Sequence, residues 1–384
     1  MPKHLFIGLV LTQTLMSALA YQETNAVALT VKGIAIPITI MSPDQGKGPF
    51  PVVFHVHGGG WNGGTATEVP PADLPPDAKI LCDRLGIIYV GLAYRCKAEG
   101  TFQDALEDLR ASIAWFNARA ADFHADTNRV GFSGASAGTP LSALLAEEMD
   151  SCQTYVGLFG VYDFISNSES LFPDAAACQQ YGIATPEAKK QASAYFNLRP
   201  HPPATLVCAG AKDILICPKQ SVRFGEKLKA QGTDVEVTIY PEVNHGYYGP
   251  DNPVEFKDTT LKIARLYSKY MTQAPFDSAG LSQALDTMVA GYFPLETIPT
   301  KAVAGVWKGK LERLQFLPDG TGKLINRNNK SKPFTYVVSG GSIKVRAGDV
   351  TTEYFMRQDQ RGIYFIYPDG RYAGRKEMFT KSPE

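Results

Sequence analysis

The sequence predicts an α/β protein: a mostly parallel sheet with helices on both faces, followed by a small antiparallel all-β domain. Three observations carry this. From residue 51 to 271, short apolar runs alternate with segments of helical periodicity. Within that region, Gly134-Ala135-Ser136-Ala137-Gly138 joins a buried run at 128–132 to a helical one at 139–149. After about residue 303 the chain changes to short β-type runs separated by turn signals.

The elements follow in order. Residues 1–20 read as an export signal, with a basic start at Lys3 and His4, an apolar stretch from Leu5 to Met16, and Ala18-Leu19-Ala20 as an A-x-A cleavage site. Thr12, Gln13 and Thr14 interrupt the apolar stretch, which favours removal over spanning, and no other run is long and apolar enough to span a bilayer. The mature chain is expected to be secreted or periplasmic. Ala26 to Ile40 alternates around Gly33 and Pro37 and predicts a hairpin. Pro51 to Val56 is a buried strand that runs into His57-Gly58-Gly59-Gly60-Trp61. A Pro/Gly-rich loop to Pro76 precedes a helix over 77–85 and a strand over 87–93. Residues 102–121 are helical, with Ala105, Leu109, Ile113 and Phe116 on one face.

Strands are expected at 154–161, 204–209 and 235–240, and helices at 218–231 and 254–271. An irregular insert at about 164–200 interrupts the rhythm. Residues 21–272 thus form the main domain, 273–302 a helical linker with a helix over 281–293, and 303–384 a small barrel or sandwich.

Composition narrows the function. Lys+Arg and Asp+Glu both total 38, so the net charge is zero and nothing points to nucleic acid. Six cysteines in an exported chain suggest disulfides, and the lack of C-x-x-C spacing argues against a metal site. Cys178, in the insert, and Cys217, after the 204–209 strand, are the expected pair, since both fall above the sheet; Cys82 with Cys96 fits less well because a full strand separates their heights.

Gly134 to Gly138 fits the G-x-S-x-G nucleophile elbow, a sharp strand-to-helix turn that lifts a serine hydroxyl above a sheet. A serine hydroxyl needs an adjacent base, and the base an orienting acid. Two histidines follow Ser136: His201 lies between prolines in the insert, whereas His245 follows a strand at the sheet's carboxyl edge and is the expected base. Asp150 and Asp234 precede their strands and Asp174 is in the insert, which leaves Asp213 as the favoured acid and Asp163 as the alternative. His57-Gly58-Gly59-Gly60 fits an HGGG loop whose amides, with that of Ala137, would surround a developing oxyanion. It lacks the lysine and Ser/Thr of a P-loop. His57 is expected to fix its loop, and His55 to be buried and hydrogen-bonded.

With these pieces in place, residues 26–272 resemble the α/β-hydrolase fold, in its hormone-sensitive-lipase-like and acetyl or feruloyl esterase branches. HGGGW at 57–61, AYR at 93–95, the helix with Glu107 to Arg110, GASAG at 134–138, AGAKD at 209–213 and NHGYY at 244–248 fall in family order. The resemblance implies carboxylic-ester hydrolysis through an acyl-enzyme, with Ser136 as nucleophile, Asp213 as acid, His245 as base, and oxyanion amides from Gly58, Gly59 and Ala137. It implies no metal and no cofactor. Thr139 stands where many relatives have a second glycine, and the insert is short for a lipase lid. Trp61, Tyr162 and Tyr247, with Phe159, Phe164 and Tyr195, are candidates to line the acyl or alcohol pocket.

The final segment resembles small lipocalin-like β domains, through Gly305-Val306-Trp307 and Leu314 to Gly320. Its Tyr336, Tyr354, Tyr364 and Tyr372 either fill a barrel or stack on sugars. The expected activity is hydrolysis of short acyl esters, small-molecule or carbohydrate-borne. The alternatives are a serine peptidase of the same fold and a non-catalytic binding protein.

Overall fold

The computed structural model describes residues 21–46, 48–62, 74–250, 252–290, 303–308, 312–326, 330–339, 342–348, 350–359, 362–366 and 379–381. The expected export signal and most of the Pro/Gly-rich loop lie outside these residues.

Strands β1 (Tyr21–Val31) and β2 (Ile34–Pro43) form an antiparallel hairpin. The turn between them places Lys32 and Gly33 at φ of 51° and 81°, a left-handed pair that glycine tolerates at no steric cost. Next come β3 (Phe50–Val56), α1 (Ala78–Leu85), β4 (Ile88–Leu92), α2 (Phe102–Asn117), β5 (Ala125–Ala135), α3 (Thr139–Glu148) and β6 (Cys152–Leu158). The insert contributes α4 (Ala175–Gln180) and α5 (Pro186–Ala192). Then follow β7 (Ala204–Gly210), α6 (Lys219–Ala230), β8 (Val235–Tyr240), α7 (Pro253–Tyr267) and α8 (Ser278–Ala290).

Among the described residues β1 to β8 form one sheet in the order β1-β2-β4-β3-β5-β6-β7-β8. β3 to β8 run parallel, and β1 and β2 are the antiparallel edge. Strands covered on both faces read as near-continuous apolar runs. Accordingly Val52, Val53, Phe54 and Val56 of β3 and Leu206, Val207 and Cys208 of β7 are buried. One core holds α2 and α3 against the sheet; the other holds α1, α7 and α8. The face expected on α2, Ala105, Leu109, Ile113 and Phe116, is the buried one. Its N-terminus is closed by a reciprocal capping box between Thr101 and Asp104. The parallel order places the ends of β3, β5, β6, β7 and β8, and the loops that follow them, at one edge of the sheet.

The final strands are β9 (Gly305–Lys308), β10 (Glu312–Phe316), β11 (Thr321–Asn326), β12 (Ser331–Ser339), β13 (Ser342–Ala347), β14 (Val350–Asp359), β15 (Gly362–Ile366) and β16 (Phe379–Lys381). All pair antiparallel, and β16 returns to β9 to close a barrel. Trp307, Phe316, Phe334, Tyr336, Ile343 and Val345 pack its interior. Tyr336 is a filling residue rather than a sugar platform: it is buried, and its hydroxyl donates to the Leu317 carbonyl at 2.6 Å. Tyr372 and the side chains of Tyr354 and Tyr364 lie outside the described residues.

The disulfide expectation is corrected. Cys82, Cys96, Cys152, Cys178, Cys208 and Cys217 are all free thiols, and all but Cys217 are buried. Cys178 is buried in the apolar cluster that also holds Trp61, Phe164 and Tyr181.

Candidate active site

β5 ends in the tight turn that carries Ser136. The serine takes φ of 51°, the left-handed region that a β-carbon disfavours. Gly134 and Gly138 are required for space, not for dihedral freedom. A β-carbon on Gly138 would overlap the carbonyl oxygens of Val56 and His57, and one on Gly134 would overlap the Ser142 hydroxyl. The strain therefore sits on the serine itself, and the glycines let β3 and α3 close in around it.

The loop after β8 brings His245 to this serine: Ser136 Oγ is 2.7 Å from His245 Nε2. His245 Nδ1 is 2.7 Å from Asp213 Oδ2. Asp213 follows β7, and its other oxygen accepts from the amides of Leu215 and Ile216, each at 2.9 Å. The acid is thus fixed by its own loop while one oxygen faces the imidazole. The His245 loop sits tightly on the end of β7, because a β-carbon on Gly210 would overlap the Val243 carbonyl oxygen. Phe159 meets the His245 ring edge to face, centroids 5.0 Å apart.

Asp163, the other candidate acid, is engaged elsewhere. Its Oδ2 accepts from Arg223 at 2.9 Å, and its Oδ1 caps the amides of Ile165 and Ser166 at 2.8 and 3.1 Å.

The HGGG loop lies directly beside the serine. A β-carbon on Gly58 would come within 2.9 Å of the Ala135 carbonyl oxygen and 3.1 Å of Ser136 Cβ. Gly59 and Gly60 take φ of 108° and 62°. Trp61 donates its indole N–H to the Ala137 carbonyl at 2.9 Å, which ties this loop to the elbow. His57 stacks on Tyr94 with centroids 4.6 Å apart, and the Tyr94 hydroxyl donates to the His57 carbonyl. His57 therefore fixes its loop, as expected. His55 pairs with Ser133 at 2.9 Å behind the site. Burial, helped by the neighbouring His57, lowers its pKa to about 3, so it is neutral at physiological pH.

The aromatic pocket residues are corrected. Trp61, Tyr162 and Tyr247 are at most 2% exposed and present no surface to a ligand. Tyr162 stacks on Phe224 at 4.2 Å, and Tyr247 packs on Tyr240 with its hydroxyl near Thr259. Trp61 is enclosed by Tyr181 and Phe172 of the insert, at 4.7 and 4.8 Å. Phe164 is buried as well, and Tyr195 supports Arg223 and Lys227 by cation–π contact.

Two supports escaped the sequence reading. Arg95 of the AYR segment makes a bidentate pair with Asp108 of α2 at 2.8 and 2.9 Å, and its carbonyl accepts from Tyr181 at 2.9 Å. The AYR motif with an acidic residue in the next helix was the available signal. Asp77 bonds to Tyr248, three residues beyond His245, and no local pattern links those two.

Residues 38–228 match the BD-FAE family model. The esterase LipC of Mycobacterium tuberculosis is 28% identical over 225 residues, covering 53% of this chain and 55% of LipC. The chain spans about half the length of the curated relatives it matches. A thermophilic esterase from the planctomycete Thermogutta terrifontis superposes with a TM-score of 0.52 at 20% identity, over 64% of this chain and 91% of that one. A truncated carbohydrate esterase from gut microbiota superposes at 0.51 with 16% identity, over 65% and 98%. These structural likenesses show the fold.

Proposed function

We propose, from the premise that this chain carries an α/β-hydrolase domain related to carboxylic-ester hydrolases, that it is itself an exported serine carboxylic-ester hydrolase. Its substrates are short acyl esters, among them acetyl or aryl esters on carbohydrate. The observation that carries this reading is the unbroken chain from Ser136 through His245 to Asp213, each link 2.7 Å.

In this reading His245 Nε2 takes the Ser136 proton as Oγ attacks the ester carbonyl carbon. Asp213 holds Nδ1–H and stabilises the imidazolium. The amides of Gly58, Gly59 and Ala137 receive the oxyanion. One such donor is worth about 2.7–4 kcal/mol of barrier. His245 then returns the proton to the departing alcohol oxygen as the C–O bond breaks. Water repeats the sequence on the acyl-enzyme, and Ser136 Oγ leaves with the proton.

The short-chain preference draws on the insert. It is short for a lid, and it is tied down by the Phe172 amide, which donates to the Leu215 carbonyl at 2.9 Å, and by Tyr181 on Trp61. Export rests on the sequence of residues 1–20.

Kinetics on p-nitrophenyl acetate, butyrate, octanoate and palmitate test the reading, with acetylated xylan and peptide anilides alongside. Turnover should be fastest on acetate or butyrate and absent on anilides. Equal inertness toward all esters, with no fluorophosphonate labelling of Ser136, would refute it.

A further inference from the structure

Asp77 occupies the position before α1 where an aspartate ordinarily caps the helix, yet its side chain makes no capping bond. It is 1% exposed, inside the apolar cluster shared by α1, α7 and α8. A carboxylate in such a place is costly unless it is paired. Its Oδ2 accepts from the Tyr248 hydroxyl, and its Oδ1 has no hydrogen-bond partner. The titratable groups acting with it are phenols: Tyr248 of the His245 loop, Tyr89 of β4 and Tyr267 of α7. None of the groups that shift Asp77 is a cation, and burial pushes it up to about 6.

The bond spans two parts of the site. Tyr248 lies three residues beyond His245 in one loop. Its hydroxyl also lies 3.0 Å from Thr260 Oγ1 on α7, and its ring packs on Phe256 with centroids 5.1 Å apart. Asp77 follows, along the chain, the loop that carries Gly58 and Gly59. The carboxylate thus forgoes its own helix to hold the loop that presents the base.

We infer that Asp77 is a positioning residue: through the Tyr248 hydroxyl it fixes the loop that sets the His245 imidazole against Ser136. The inference rests on the triad reading above. A misplacement of about 1 Å at a reacting group can cost on the order of a hundredfold in rate, so a loosened loop has a measurable effect.

The test compares Tyr248→Phe, Asp77→Leu and Asp77→Asn in the full chain. Tyr248→Phe removes the donor and Asp77→Leu the acceptor, whereas the amide oxygen of Asp77→Asn still accepts. Tyr248→Phe and Asp77→Leu should lower kcat on p-nitrophenyl acetate about tenfold, with KM changed less than about twofold, and Asp77→Asn should stay near the parent. The second readout is the low-field proton resonance of the imidazole N–H between His245 and Asp213, which needs no substrate. It should shift or broaden in Tyr248→Phe and persist in Asp77→Asn. If Asp77→Leu fails to fold, Tyr248→Phe decides. Should the parent chain hydrolyse no ester while the resonance still responds to Tyr248→Phe, the esterase reading falls and the positioning role stands. Parent-like kcat and an unmoved resonance in Tyr248→Phe would overturn the inference.

Discussion

The Thr139 side chain occupies the space that a β-carbon at residue 160 would need: its Cβ, Oγ1 and Cγ2 all crowd that point, so only glycine fits. Thr139 opens α3, and Gly160 follows β6. The bulk of the side chain at 139 is taken up against the glycine just after β6. Thr139 is fully buried, and its hydroxyl lies 3.4 Å from the Leu158 carbonyl.

Gly160→Ala should therefore destabilise the fold by about 1–3 kcal/mol, the usual cost of overpacking. In a Thr139→Gly background the same change should cost far less, because all three opposing atoms are gone. Urea unfolding of the four proteins in the cycle measures this coupling. Equal costs in both backgrounds would contradict the contact.

The two candidate acids separate by what they bond to. Asp213→Asn leaves the imidazole in the wrong tautomer and should lower kcat by about four orders of magnitude. Asp163→Asn should leave kcat near the parent and weaken the fold instead, since it unpairs Arg223 from a carboxylate only 2% exposed. Parallel pre-steady-state kinetics and thermal melts on both variants distinguish the roles; the reverse pattern would exchange them.

How much of this was legible follows from the range of each contact. Ser136, His245 and Asp213 each sit in a loop directly after a strand, so local patterning placed them at one sheet edge. Asp163 sits at that same edge, and only Arg223, 60 residues away on α6, shows that it is committed elsewhere. The Asp77–Tyr248 bond spans 171 residues and leaves no periodic trace. Trp61, Tyr162 and Tyr247 adjoin the motifs in sequence, but an aromatic beside a site looks the same whether it faces ligand or core. Phe224, Tyr181 and Tyr240 decided that by packing over them. In the final segment the turn residues marked the hairpins, while closure depended on β16 meeting β9, the two ends of the domain.

Acid sensitivity has an assigned source in His55. Its folded pKa, about 3, lies below its ordinary value of 6.5, so the unfolded chain binds the proton more readily. The stability it contributes is present above about pH 6.5 and is lost as pH falls toward 3, at about 1.4 kcal/mol per pH unit. Asp77 works in the opposite sense, since its raised pKa makes stability fall as pH rises from about 4 to 6. The difference between parent and His55→Gln isolates the histidine. Urea unfolding at pH 7 and pH 5 should show the parent losing more stability than the variant. Identical losses would mean that His55 is not the titrating group.

The strained backbone at Ser136 makes a prediction that runs against ordinary helix and loop preferences. Glycine usually lowers stability relative to alanine, because its unfolded chain has more conformations to lose. At φ of 51° the order should invert. A β-carbon in the left-handed region costs about 1–2 kcal/mol, and only glycine escapes it. Ser136→Ala and Ser136→Gly should both be inactive, since neither carries a nucleophile, yet the glycine variant should melt higher than the alanine variant. Differential scanning calorimetry on the two inactive proteins separates strain from chemistry, because neither has a hydroxyl bonded to His245. If alanine proves the more stable, the turn is relaxed at this residue. The lifted hydroxyl would then be a product of packing by Gly134 and Gly138, and not of stored backbone energy.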